Sequence, residues 1–81
     1  MYRILVADDE GIMLEAFKSV ISSTFGDSCI TETAKTGRAV TEKAETFHPD
    51  IVFMDIHMPG INGIQAMREI RKFNTTALFY V

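Results

Sequence analysis

The chain has a single cysteine, Cys29, no long apolar run and no block of like charge. One cysteine excludes an intrachain disulfide and suits a reducing compartment. Its side chain reads as a small hydrophobe of the core or an edge, not a reactive thiol. No stretch is long and apolar enough for a spanning helix. The opening, Met1-Tyr2-Arg3 followed by four apolar residues and then acids, is not a secretory leader. Eight basic residues stand against 11 acidic ones, a net charge of −3. That balance gives no electrostatic footprint for direct nucleic-acid binding by this segment. Repeats, low-complexity tracts and linkers are absent too. These absences predict a cytoplasmic chain with no membrane contact. Its 81 residues make one domain at most, residues 1–81. A chain this short buries only roughly 60–65% of its unfolded surface, so its stability margin is thin. What is present, 47% hydrophobic and 23% charged residues, is ordinary for a globular fold.

The hydrophobic pattern alternates between two periods. Residues 3–7 form a short aliphatic run that reads as a buried strand. From Ile12 to Phe25 the spacing turns helical, with Ile12, Met13, Ala16, Phe17, Val20 and Ile21 on one side. Glu15, Lys18, Ser19, Ser22 and Ser23 take the other side, and Gly26-Asp27 ends the helix where a left-handed cap is wanted. Residues 28–34 alternate imperfectly and suit an edge strand. Thr36 is placed to cap a helix over 38–47 with Val40, Ala44 and Phe47 as its apolar stripe. His48 falls at its C-terminal cap, and Pro49 closes it. Residues 50–55 are a second buried strand. Asn62 can cap a helix over 63–72, with Ile64, Met67 and Ile70 inward and Arg68, Arg71 and Lys72 toward its C-terminus. Residues 76–81 read as a fourth, almost wholly apolar strand. The five methionines read as core filler. The order βαβαβαβ predicts an α/β fold with an open parallel sheet and right-handed crossovers.

Two of the strands end in acids. Ile4-Leu5-Val6-Ala7 runs into Asp8-Asp9-Glu10, and Ile51-Val52-Phe53-Met54 runs into Asp55. Neighbouring parallel strands that deliver carboxylates at their C-terminal ends describe an acidic pocket at the mouth of the sheet. Carboxylates brought together repel unless a cation intervenes, and a hard divalent ion that prefers oxygen, Mg²⁺ above all, answers that need. Pro59 and Gly60 shape the turn beside this pocket, and Gly63 allows close approach at the start of the next helix.

These segments resemble the receiver domain of bacterial two-component response regulators. The resemblance is carried by residues 4–10 and by Asp50-Ile51-Val52-Phe53-Met54-Asp55-Ile56-His57-Met58-Pro59-Gly60-Ile61-Asn62-Gly63, and it runs from Tyr2 to Val81. It implies a flavodoxin-like strand order, with Asp55 as phospho-acceptor. Asp8 and Asp9 are implied to bind Mg²⁺, one directly and one largely through water, with the backbone carbonyl of His57 as a further ligand. The His57 side chain, two residues after Asp55, reads equally as a contact to the phosphoryl group or a shield of it from water, and as a solvated loop residue. The implied donor is a sensor histidine kinase or a small acyl phosphate. The implied role is control of an output domain, a transcriptional one on the similarity of residues 1–6 to regulators with AraC-type output. Such a domain accepts a phosphoryl group and assists its own phosphorylation, but is not a turnover enzyme.

The family also carries a Ser or Thr at the end of its fourth strand and a Lys at the end of its fifth. Thr75 and Thr76 lie at the start of the fourth strand, and Lys18, Lys35, Lys43 and Lys72 fall on helices or loops. The chain therefore reads as the front two-thirds of a receiver domain, truncated in or after the fourth strand. An exposed fourth strand predicts self-association by edge pairing or strand exchange. This gives the second reading, a truncated or engineered fragment that associates and does not signal. A Mg²⁺-dependent phosphatase or mutase would show Asp-x-Asp at its nucleophile, and Asp55-Ile56-His57 lacks the second acid. A flavin binder would show a Ser/Thr-rich loop after the first strand, and none is there.

Overall fold

The computed structural model describes residues 1–55 and 62–80. Strands β1 (Tyr2–Ala7), β2 (Cys29–Ala34), β3 (Ile51–Met54) and β4 (Leu78–Tyr80) alternate with helices α1 (Gly11–Phe25), α2 (Gly37–Phe47) and α3 (Gly63–Arg71), and one 3₁₀ turn, Gly26–Ser28, leads into β2. The sheet is parallel, in the order β2-β1-β3-β4. This is the α/β open sheet expected from the alternating pattern. The chain steps from β1 to one side and then back across it, so right-handed crossovers send α1 to one face and α2 and α3 to the other. The reversal falls between β1 and β3, the switch point where such sheets hold their ligands.

Each helix boundary has a local cause. The Thr36 hydroxyl accepts the Ala39 N–H at 3.0 Å, so α2 begins at Gly37, one residue before the expected start. Asn62 and Gln65 form a reciprocal capping box, with the Gln65 N–H donating to Asn62 Oδ1 at 2.9 Å and the Asn62 N–H donating to Gln65 Oε1 at 3.3 Å. Gly26 takes a positive φ of 57° where α1 ends, and His48 sits in the left-handed region with its N–H on the Ala44 carbonyl. β4 starts later than position 76 because Asn74 builds a side-chain turn first. Asn74 Oδ1 accepts the N–H groups of Thr76 and Ala77 at 3.3 and 3.1 Å, while its Nδ2 donates to the Pro49 carbonyl at 3.1 Å. Val81 lies outside the described residues. β2 is an edge strand and shows the alternating burial that its sequence predicts.

The core is divided by the sheet. On one face Leu5, Ala7, Val52 and Met54 meet Val40, Ala44, Ala66 and Ile70 of the two helices. Ala44 and Ala66 are small enough to let α2 and α3 sit close to each other and to the strands. On the other face Ile4 and Val6 meet Leu14 and Ile21 of α1, with Phe17, Ile51 and Phe53 half-buried around them.

Three expectations about these faces are corrected. The inward stripe of α1 is Leu14, Phe17 and Ile21, spaced i, i+3, i+7, whereas Ile12 (85%), Met13 and Val20 are exposed and Ala16 faces out with them. These residues flank the stripe, and among the described residues α1 is the only helix on its face, so the flank meets no neighbour. In α3 the buried positions are Ala66 and Ile70, with Met67 half-buried and Ile64 exposed. Ile64 lies in the first turn, to one side of the stripe that meets the sheet. Of the methionines, Met54 fills the core, whereas Met1 and Met13 are exposed and Met58 lies outside the described residues.

Candidate functional site

The site is built at the C-terminal ends of the two central strands. β1 and β3 pair in register up to Ala7 and Met54, so Asp8 and Asp55 follow directly at one edge of the sheet. Their own amides extend the ladder: the Asp55 N–H donates to the Ala7 carbonyl at 2.9 Å, and the Asp8 N–H donates to the Ala34 carbonyl of β2 at 3.1 Å. Backbone position is thereby fixed for both acids. The Asp8 carboxylate is turned back by the Glu10 N–H, which donates to Oδ1 at 3.0 Å and bends the chain toward α1. Asp8 and Asp55 are half-buried and Asp9 is exposed.

One carboxylate oxygen from each of Asp8, Asp9 and Asp55 lies within 4.8 Å of the others. Unit charges about 4 Å apart repel by about 1 kcal/mol in bulk water and by about 4 kcal/mol at the effective dielectric of a protein surface. Three acids at such spacing ask for a cation. The donor set is all oxygen and anionic, which suits a hard divalent ion such as Mg²⁺ and disfavours softer metals. Below the acids a cleft of about 400 Å³ is lined by Met13, Phe17, Phe53 and Tyr80 beside Asp8 and Asp55. Its floor is an aromatic row. The Phe17 and Phe53 centroids are 4.7 Å apart, and Tyr80 stacks on Phe53 at 5.3 Å.

Structure and sequence reading agree on which acids converge. His57 with its backbone carbonyl, Pro59 and Gly60, all expected at this site, lie outside the described residues. Thr75 and Thr76 sit in the turn before β4, at the opposite end of that strand from the acids. Lys18 is on α1. Lys43, on α2, donates to the Thr33 carbonyl, and Lys72 pairs with Glu69 at 3.0 Å where α3 ends. Lys35 is different. It follows β2 at the same edge as the acids, and sequence reading set it aside as a loop lysine. The signal that bears on it is its place, the first residue after a strand, although only the β1–β2 register sets it level with Asp8. The aromatic floor was also missed, because Phe53 and Tyr80 belong to strands far apart in sequence.

A parallel sheet that reverses between β1 and β3, with acids at the ends of both strands, defines the doubly wound α/β class with its ligand site at the switch point. The particular family follows from comparison with known proteins. The response regulator receiver domain family matches residues 4–80, and the chain belongs to that family. Chemotaxis protein CheY of Thermotoga maritima is 38% identical over 79 residues, covering 98% of this chain and 64% of that protein. The protein-glutamate methylesterase/protein-glutamine glutaminase of the same organism is 39% identical over 79 residues, 98% of this chain but 23% of that protein. Response regulator TrrA of Thermotoga maritima, solved with Mg²⁺ and BeF, superimposes with a TM-score of 0.85 at 35% identity, covering 98% of this chain and 66% of that one. TrrA has also been solved with histidine kinase ThkA, matching with a TM-score of 0.83. The chain thus spans about a quarter to two-thirds of the length of these relatives. Among the described residues, no helix is long and apolar enough to cross a membrane.

Proposed function

We propose that this chain accepts a phosphoryl group on Asp55 in a two-component phosphorelay and so controls an output domain. The observation that carries the reading is the convergence of Asp8, Asp9 and Asp55 at the family's switch point. Asp8 and Asp9 would hold Mg²⁺ together with Asp55. When bound, that ion neutralises the negative charge that gathers as a phosphoryl group meets a carboxylate.

The chain's own residues do the rest. Asp55 is half-buried at a strand end, with its backbone pinned by the Ala7 carbonyl. Its carboxylate oxygen is thus presented at a fixed place for in-line attack on phosphorus. A new O–P bond forms as the bond from phosphorus to the donor breaks, the leaving group keeps that bond's electron pair, and Asp55 becomes an aspartyl phosphate. The donor is the phosphohistidine of a sensor histidine kinase or a small acyl phosphate, a reading supported by the kinase complex of TrrA. The transcriptional output expected from residues 1–6 draws no support from CheY or the methylesterase, but transcriptional regulatory protein YdfI of Bacillus subtilis is 30% identical over 78 residues, and a transcriptional output stays part of the proposal on that similarity. The proposed location is the cytoplasm, the compartment that a single unpaired cysteine suits.

The test is intact mass spectrometry after treatment with acetyl phosphate and Mg²⁺. Wild type is expected to gain one phosphoryl group and Asp55→Ala none. Equal gain in both, or none in either, removes Asp55 from the acceptor role.

One observation favours self-association alongside this reading. Among the described residues β4 pairs only with β3, and its residues Leu78 (56%) and Tyr80 (54%) are exposed. An uncovered apolar edge strand is a template for pairing with a second copy. Sedimentation is expected to show a concentration-dependent dimer, and a monomer at all concentrations would sink the idea.

A further inference from the structure

The acidic pocket has a cationic neighbour that no part of the acceptor reading uses. Ala34, the last residue of β2, pairs with Ala7, the last of β1, and the Asp8 N–H donates to the Ala34 carbonyl. Lys35 and Asp8 are therefore side by side, one strand spacing apart, at the same edge of the sheet. That spacing is about 4.8 Å between strands. From there the lysine side chain reaches over the start of α1. A Cβ built on Gly11 would stand 3.4 Å from Lys35 Nζ and 3.7 Å from Cε. Gly11 directly follows Asp8-Asp9-Glu10, so the ammonium lies beside the start of the helix that the loop with two of the three acids leads into, where a Cβ would meet it at ordinary van der Waals distance. The ammonium is exposed, and the one ion pair among the described residues is Lys72 with Glu69. Lys35 thus stands beside the loop of Asp8 and Asp9, and among the described residues no ion pair involves it.

We infer that Lys35 is a positioning charge on the rim of the acidic pocket, one that weakens divalent-cation binding there while drawing the anionic phosphoryl donor toward Asp55. The inference rests on the acceptor reading for its second half only. A unit positive charge beside the site opposes a second cation and attracts an anion through the same Coulomb field. The two effects must therefore move in opposite directions when the charge is removed. A lysine that served only to hold the loop would, on removal, impair both together.

The test is a pair of titrations on the full chain. In calorimetry with MgCl₂ at low salt, Lys35→Ala is expected to bind Mg²⁺ about threefold more tightly and Lys35→Glu about tenfold more tightly, the size expected of one or two charges across a solvated gap. With acetyl phosphate at saturating Mg²⁺, the same variants are expected to phosphorylate more slowly by similar factors. Lys35→Arg, which keeps the charge, is expected to restore wild-type values. Raising the salt to about 0.5 M should collapse every difference, because the Debye length then falls to about 4 Å. Unchanged or weaker Mg²⁺ binding in Lys35→Ala, or differences that persist at high salt, overturn the role of Lys35. The calorimetric arm needs no phosphorylation. A wild type that takes up no phosphoryl group therefore defeats the acceptor reading alone, while an unmoved Mg²⁺ affinity defeats the Lys35 inference alone.

Discussion

The two faces of this sheet are built from the same strands and covered very differently. One face lies under two helices, α2 and α3, and its residues Leu5, Val40, Val52, Ala66 and Ile70 are wholly buried. The other lies under α1 alone among the described residues. There Phe17, Ile51 and Phe53 stay half-exposed, and a groove of about 540 Å³ opens between Tyr2, Phe25 and the strands. Alternation along a strand guarantees two apolar faces here, since β1 and β3 are apolar at nearly every position. It does not guarantee equal cover. Cohesion is therefore expected to concentrate on the face of α2 and α3, and the site hangs from the strand ends that both faces share.

A matched pair of substitutions tests this most directly. Ile70→Ala, on the closed face, should cost about 3–4 kcal/mol, and Ile21→Ala, beside the open groove, about 2 kcal/mol, since a site that can relax or admit water loses less. Denaturant unfolding of both variants measures the gap, and equal costs would break the comparison. The next effect is smaller. Asn62→Ala removes the capping box of α3 and should destabilise the closed face by about 1 kcal/mol, read from the same unfolding midpoint. The smallest belongs to the outer flank of α1. Ile12→Ser, at 85% exposure, should shift stability by no more than about 0.5 kcal/mol. A larger loss there would mean that something covers the flank in solution, and the open face would need redrawing.

Much of this was legible from residues alone because the signals were local. Thr36 and Asn62 announce their helices through caps that need only the next three residues, and both caps are present. The convergence of Asp8 with Asp55 could be read because each acid ends an apolar run, and in a doubly wound parallel sheet two such wholly apolar strands take the central places. The inward face of α1 could not be read so well. Ile12, Met13 and Val20 are as apolar as Leu14 and Ile21, and which of them is buried depends on how many helices share the face. The same applies to Ile64 of α3. Lys35 and the Phe17–Phe53–Tyr80 row escaped for a related reason: their meaning comes from strand register and from side chains that meet across the sheet, neither of which any short window contains.

The amides of Asp8 and Asp55 are the last rungs of the ladder, and this makes pocket and sheet a single mechanical object. Anything that lets the carboxylates push apart pries at those rungs, and anything that gathers the carboxylates clamps the strand ends shut. Fraying of β1 from β2 and β3 at this end and loss of the acidic cluster are then the same opening event. Amide exchange at Asp8 and Asp55, followed as MgCl₂ is added, would register both as one change in protection.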